Sequence, residues 1–331
     1  MDGAGFLISS QACILRIVLH EHFRDFDEFV ASVQGVDSTM LLQNPARHSW
    51  EISDAEISGI RVQLGRLGSG NIVEGQSWKD GYMIYLPLSD TCAYALNGVP
   101  IEKSAFMILE PGCEFCLSTQ FEHDWCSIFI PAHALDLQPD LEAPERDSEK
   151  MICRTTRPNI VLARQFRASV DDILTTASSY AAFESSMAST IAAASLVELG
   201  TAIIGLHQQS ESSHPGRRKL PREEIIRHSN QLFAEREGEH VSLAELVEAA
   251  QVSERTLRIA FNERYGVSPV RYLQVRNLHR VHRALRKAEP DETGVADVLL
   301  RHGEWEFGRF ATRYRHLFGE LPSETLKAKH R

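Results

Sequence analysis

Between Ser242 and Gly319 one arrangement of apolar residues occurs twice, and only paired helices can use it. In the first copy Leu243, Leu246, Val247 and Ala250 form a stripe, Gln251-Val252 makes a turn, Ser253 caps, and Leu257 and Phe261 pack back from the next helix. The second copy has Val295, Val298 and Leu299, a turn at Gly303, then Phe310 and Tyr314. Apolar positions three and four apart share a helix face, because a helical turn takes about 3.6 residues. Two short helices joined by a tight turn bury only one stripe of the second. Each copy therefore reads as a helix-turn-helix with an exposed second helix.

The exposed positions are polar and basic: Glu254, Arg255, Thr256, Arg258 and Asn262 in the first unit, Gly308, Arg309, Thr312, Arg313 and Arg315 in the second. Arginine grips guanine with two hydrogen bonds, and threonine bonds a base edge or touches a thymine methyl. Helices of this kind suit the major groove of duplex DNA. Between the units, Ser268 caps and Pro269 opens a helix that runs through Arg286. About 19 residues at the helical rise give ~28 Å, close to the ~34 Å repeat of the duplex. One chain can thus set two helices in successive grooves. Arg276, Arg280, Arg283 and Lys287 follow one another at helical spacing as an outer basic stripe. Arg283 and Lys287 are expected on phosphates, and Arg255 and Arg309 on base edges; a solvated face is the other use of such a stripe.

The charge agrees with this division. Residues 1–215 carry 13 Lys+Arg and 28 Asp+Glu, a net of −15, whereas residues 216–331 carry 22 and 17, a net of +5. An acidic module is joined to one that meets a polyanion. The join is read at 208–219, QQSESSHPGRRK, which has linker composition. All six cysteines precede it without a small-domain framework, so they are expected as reduced thiols. No uncharged apolar run reaches the ~20 residues of a membrane span, and the N-terminus lacks the pattern of a signal peptide. A cytoplasmic protein with no membrane contact is expected.

Ahead of the join, between about 45 and 135, short apolar runs alternate with turn signals: 60–67, Gly68-Ser69-Gly70-Asn71, 82–88, 94–96, Asn97-Gly98, 106–109, Pro111-Gly112 and 125–130. That spacing predicts an antiparallel sandwich or barrel. From 158 to 207 the period becomes helical, with Val170, Ile173, Leu174 and Ala177 on one stripe and Leu196, Leu199, Ile203 and Leu206 on another. The Ala/Ser-rich stretch 185–195 lets helices approach closely, within the chain or across a dimer seam. Further helices are predicted at 225–234, 242–250, 253–265, 294–302 and 306–318.

The segment 242–327 resembles the DNA-binding domain of the AraC/XylS transcription regulators. The resemblance rests on Leu246…Ala250-x-Val252-Ser253-x-x-x-Leu257-x-x-x-Phe261, on Tyr265-Gly266-x-Ser268-Pro269 and Tyr272-Leu273, on Arg276-x-Leu278-x-x-Val281-x-x-Ala284-Leu285, and on Gly303-x-Trp305-x-x-Gly308-Arg309-Phe310-x-x-x-Tyr314-Arg315-x-x-Phe318-Gly319-x-x-Pro322-Ser323. Tyr82-x-Ile84-x-Leu86-Pro87-Leu88 and Pro111-Gly112 are similar to the cupin-like sensing domain of one branch of that family. The chain departs from the pattern twice. Gln251 stands where the first turn usually has glycine, and Glu304 where an apolar residue is usual, so that Trp305 or Phe307 is expected to supply the packing.

The expectation is an α+β protein: a cupin-like antiparallel barrel or sandwich at 1–157, a helical dimerising region at 158–207, the linker, and an all-α double helix-turn-helix domain at 220–331. The resemblance implies an effector-responsive transcription activator that is dimeric and contacts RNA polymerase. Ser253, Arg255, Thr256, Arg258, Asn262, Arg283, Lys287, Arg309, Thr312, Arg313 and Arg315 are its expected DNA contacts. Trp50, Trp78, Tyr82, Tyr85 and Trp125 are candidates to line the effector pocket, each with core packing as the alternative.

Other motifs lead elsewhere. Gly65-x-x-Gly68-x-Gly70 lacks the Lys-Ser/Thr ending of a phosphate loop and reads as a hairpin. Cys113-x-x-Cys116 with His123 and Cys126 has no second cysteine pair, and His20-Glu21-His22 precedes the strands without a partner glutamate and third histidine, so no metal or cofactor is expected. No catalytic residues are assigned. A cupin-type metalloenzyme with a DNA-binding appendage is the alternative, and a nucleoid-type structural binder a third.

Overall fold

In the computed structural model the described residues are 19–90, 92–135, 153–206, 222–236 and 239–328. The expected linker at 208–219 lies outside them. The first part is built from β1 (Leu19–Phe23), α1 (Phe26–Ser32), β2 (Val36–Gln43), β3 (Trp50–Ile57), β4 (Ile60–Leu67), β5 (Gly70–Ser77), β6 (Gly81–Pro87), β7 (Tyr94–Leu96), β8 (Val99–Pro100), β9 (Met107–Leu109), β10 (Glu114–Thr119), β11 (His123–Pro131) and β12 (Cys153–Thr155). They form two antiparallel sheets, ordered β1-β3-β4-β11-β6-β9-β12 and β2-β5-β10-β7-β8. The expected sandwich is present, with more strands than the turn signals marked.

Side chains alternate across each strand, and here both faces of the larger sheet are covered. On β6, Met83 and Tyr85 point toward the other sheet, while Ile84 and Leu86 point away. On β11, Trp125 and Phe129 go inward and Cys126, Ile128 and Ile130 outward. The outward set is covered by α2 (Ile160–Ser179) and α3 (Met187–Ile204). Their buried stripes contain the residues expected from periodicity: Val170, Ile173, Leu174 and Ala177 on α2, and Leu196, Leu199 and Ile203 on α3. Gly200 lets α3 approach so closely that a Cβ there would overlap Ile130. Strands covered on both sides read as nearly continuous apolar runs, which is why 82–88 and 125–130 stand out in the sequence.

Among the described residues one helix, α3, is long and apolar enough to cross a membrane, with 18 residues and a mean hydropathy of 1.6. Glu198 interrupts the apolar run without lowering that mean much. The helix spends its apolar stripe on the sheet instead.

The second part consists of α4 (Arg222–Glu235), α5 (Leu243–Ala250), α6 (Glu254–Tyr265), α7 (Pro269–Lys287), α8 (Val295–Arg301), α9 (Phe307–Phe318) and α10 (Pro322–Ala328). Leu246, Leu257, Phe261, Tyr265 and Tyr272 form a core with Ile225 and Phe233 of α4. Val281, Leu285, Val298, Phe310, Tyr314 and Leu326 belong to a second one. The unforeseen α10 closes this core from below with Pro322, Thr325 and Leu326 buried. Both cores continue into the sandwich. Ile72 and Cys116, on the outward face of the smaller sheet, join the first, and the second merges with the cluster that holds Phe26 and Trp50.

Candidate nucleic-acid interface and sandwich cavity

The first helix-turn-helix is α5 and α6. Ser242 and Glu245 form a capping box on α5, and Gln251 turns the chain at φ 51°, ψ 39°. The left-handed conformation expected of glycine is thus kept by a glutamine, at a cost of roughly 1 kcal/mol. Ser253 caps α6 by accepting from the Thr256 amide at 3.2 Å. Leu257, Phe261 and Tyr265 face inward, and Arg255, Thr256, Arg258 and Asn262 are exposed. The Arg258 guanidinium donates to Glu254 at 2.8 Å.

In the second unit, α8 and α9, Gly303 takes the left-handed turn at φ 77°. Phe310, Tyr314, Leu317 and Phe318 are buried, and Arg309, Thr312 and Arg315 are exposed. Arg309 is held by Glu306 at 2.8 Å. The departure at Glu304 is resolved differently from expectation. Trp305 is 76% exposed and Phe307 39%, so neither fills the turn. Glu304 stays as a polar anchor, accepting from Asn277 Nδ2 at 2.8 Å and from Arg313 at 3.3 Å. Arg313 is therefore half-buried and engaged, unlike its exposed neighbours.

The basic stripe of α7 is partly engaged within the chain. Arg276 lies over the Phe233 ring, 4.1 Å from its centroid. Arg280 donates to Asn277 at 3.3 Å and approaches His302 at 3.2 Å. Arg283 sits 4.0 Å from Asp27 of α1, and Lys287 is exposed. The face they occupy is turned in part toward the sandwich, because its acidic α1 packs there.

Between the two sheets is a cavity of about 40 Å³. Of the five aromatic candidates, Tyr85 and Trp125 line it, stacked with ring centroids 5.5 Å apart. Tyr82 is on the opposite face of the same strand, toward the helices. Trp50 is buried against Phe26 and donates from Nε1 to Ser69 Oγ at 3.0 Å. Trp78 packs on Phe129 and under Arg61. The lining also includes Phe29 of α1, Met40, Asn71 and His123. His123 Nδ1 donates to the carbonyls of Ser69 and Phe121, each at 3.0 Å, and burial lowers its pKa to about 4. The ring is thus neutral. Tyr85 Oη is fully buried and has no hydrogen-bond partner among the described residues.

The helix-turn-helix domain family matches residues 246–328. This segment is similar to the AraC/XylS-type DNA-binding domain. XylDLEGF operon transcriptional activator 2 of Pseudomonas putida is 36% identical over 96 residues, which are 29% of this chain and 61% of that protein. The probable thc operon regulatory protein of Rhodococcus erythropolis is 32% identical over 87 residues, 26% of each chain. The likeness to these relatives therefore spans 61% and 26% of their lengths. Among solved structures, the AraC-like transcriptional activator CuxR aligns over 79% of this chain and 94% of its own, with 10% identity and a TM-score of 0.39.

The helix-turn-helix domain is tied to the sandwich by contacts that sequence reasoning missed. Glu74 of β5 accepts from Tyr265 Oη at 2.9 Å, Tyr272 Oη at 2.8 Å and Asn230 at 3.3 Å. The amide of Leu42 donates to His279 Nε2 at 2.8 Å. Asp25, the N-cap of α1, pairs with Arg286 of α7, which also reaches Glu28 at 3.2 Å. Burial opposes the charge on Asp25, but the hydrogen bond from His282, the Glu28 amide and Arg286 outweigh it and hold its pKa at about 2. No motif announces such pairs. His123 was legible in part: it is two residues before Trp125, so on a strand both share a face. The zinc and paired-histidine alternatives find other partners. Cys116 faces the Arg264 carbonyl, while His20 and His22 bond Ser53 and Ser49, each at 2.9 Å. Among the described residues no cluster of three or more metal-ligating side chains is found.

Proposed function

We propose that the protein is a sequence-specific, effector-responsive transcription regulator, an activator by analogy with the relatives named for operon activation. The observation that carries this reading is the pair of exposed arginine-bearing helices, α6 and α9, joined by the 19 residues of α7. Straight, that helix measures ~28 Å, which matches the separation of successive major grooves. Arg255, Thr256 and Asn262 then read one half-site, and Arg309, Thr312 and Arg315 the other, with Ser253, Arg258, Arg283, Arg313 and Lys287 supporting. The sandwich, as the sensing domain at 1–157, holds a small-molecule effector in its cavity. The region 158–207 dimerises, and the DNA-bound dimer contacts RNA polymerase in the cytoplasm. A regulator of this kind needs no catalytic residues.

The test is selection of bound genomic fragments by the full chain, followed by binding to the selected site and to randomised duplex. Tight binding to the selected site alone supports the reading. Equal affinity for randomised DNA overturns it in favour of a structural binder.

A further inference from the structure

We propose that the sandwich cavity takes a small uncharged molecule, largely apolar and carrying one hydrogen-bonding oxygen, and that its entry displaces α1. The inference rests on the sensing role proposed above and adds the chemistry of the ligand. Tyr85 Oη is a buried hydroxyl without a partner among the described residues, and an unsatisfied polar group in such a place is destabilising unless something fills it. It stands at the wall of a cavity whose other surfaces are mainly Phe29, Met40, Met83, Phe115 and Trp125.

Among the described residues the polar members of the lining are Asn71, Tyr85 and His123, and none of the lining residues is a lysine, arginine or acid. His123 cannot act as a counter-ion, because its Nδ1 proton is spent on two carbonyls and burial keeps the ring neutral. A carboxylate or ammonium entering this space would lose its hydration with no opposite charge to replace it. An alcohol, phenol or ketone loses far less and recovers a bond at Tyr85.

Size decides the second half. About 40 Å³ is enclosed, whereas a benzene-sized guest needs ~150 Å³. The walls must therefore move. Met40, Met83 and Met107 line the cavity and re-pack readily. The remaining movable wall is α1, a seven-residue helix that contributes Phe29. Its Asp25 and Glu28 hold Arg286 of α7. A guest that pushes Phe29 outward acts directly on that clamp. The loop bearing Pro45 and His48, beside Thr312 and Arg315 of α9, belongs to the same docked surface.

The full chain is tested near neutral pH with millimolar phenol, benzyl alcohol, toluene, benzoate and benzylamine. Phenol and benzyl alcohol should raise the melting temperature by mass action on the folded state, and benzoate and benzylammonium should not. Tyr85→Phe should weaken phenol about fivefold, the loss of one neutral hydrogen bond, and leave toluene unchanged. Phenol should also increase hydrogen exchange in 26–32 and 283–287. A charged probe that stabilises as well as phenol, or unchanged phenol affinity in Tyr85→Phe, overturns the ligand class and leaves the sensing role standing. Unchanged exchange in those segments with phenol bound overturns the displacement. No response to any probe, toluene included, overturns the cavity as a site for this class of molecule and leaves the sensing role standing.

Discussion

Leu42 and His279 are joined by a buried hydrogen bond, the amide of one donating to Nε2 of the other at 2.8 Å across 237 positions of sequence. The bond ties a strand of the sandwich to the middle of the helix that bridges the two helix-turn-helix units. It requires the Nε2 lone pair, so it exists only while the imidazole is neutral. Burial, with Arg283 and His282 adding positive charge nearby, holds His279 well below the ordinary histidine pKa.

The pH dependence of docking follows. The docked ring binds protons less well than a free one, so docking is at full strength above about 6.5 and weakens as pH falls below it. Phe26 and Phe318 face the ring and do not titrate. His282 lies 3.7 Å from Asp25 on the same side of the helix contact. Hydrogen exchange in α7, corrected for its intrinsic rate, should rise as the pH is lowered from about 7.5 to about 5.5. His279→Gln keeps an acceptor that does not titrate and should flatten the profile. An equally steep rise in that variant would assign the effect elsewhere.

Glu74 is the acceptor for two buried phenols. Glu74→Ala leaves both hydroxyls stranded and should cost about 2–4 kcal/mol in urea denaturation. Glu74→Gln retains one acceptor and should lose roughly half of that. If Tyr265→Phe in the Glu74→Ala background costs as much as it does in the wild type, the bonds are not coupled.

Asp25 combines a helix cap with an ion pair. Asp25→Asn keeps the cap and removes the charge, whereas Asp25→Ala removes both and should be about 1 kcal/mol less stable than Asn. Because the folded pKa lies near 2, the carboxylate's contribution is present above the ordinary range and is lost as pH falls from about 4 toward 2. Melting curves in acid should show that loss in the wild type and not in Asp25→Asn.

Reading and gripping of DNA are separable. Arg309→Ala should cost about 1–3 kcal/mol on the selected site and relax preference at one or two base pairs. Lys287→Ala should weaken all sequences alike and reduce the salt slope by about one contact. Arg283→Ala should do the same, since its side chain stays exposed beside Asp27. Uniform weakening by Arg309→Ala with a flatter salt dependence would remove it from the base readers.

Local physics was readable directly. The stripes of α5, α6, α8 and α9, the cap at Ser253 and the turn residues Gln251 and Gly303 follow from a period of about 3.6 and from backbone conformation, which neighbouring residues dictate. Composition likewise separated an acidic part from a basic one. Strand parity could have sorted Tyr82 from Tyr85, had the strand limits been known. What the tertiary structure alone decided is which faces meet. Glu74 and Tyr272 are 198 positions apart, and Arg286 and Glu28 are 258 apart. No periodic pattern links residues at such separations, because their contact depends on how the sandwich packs on the helices and not on local backbone preference. Glu304 is the same lesson at short range: it replaced an apolar plug because Asn277 and Arg313, brought from two other helices, satisfy its carboxylate.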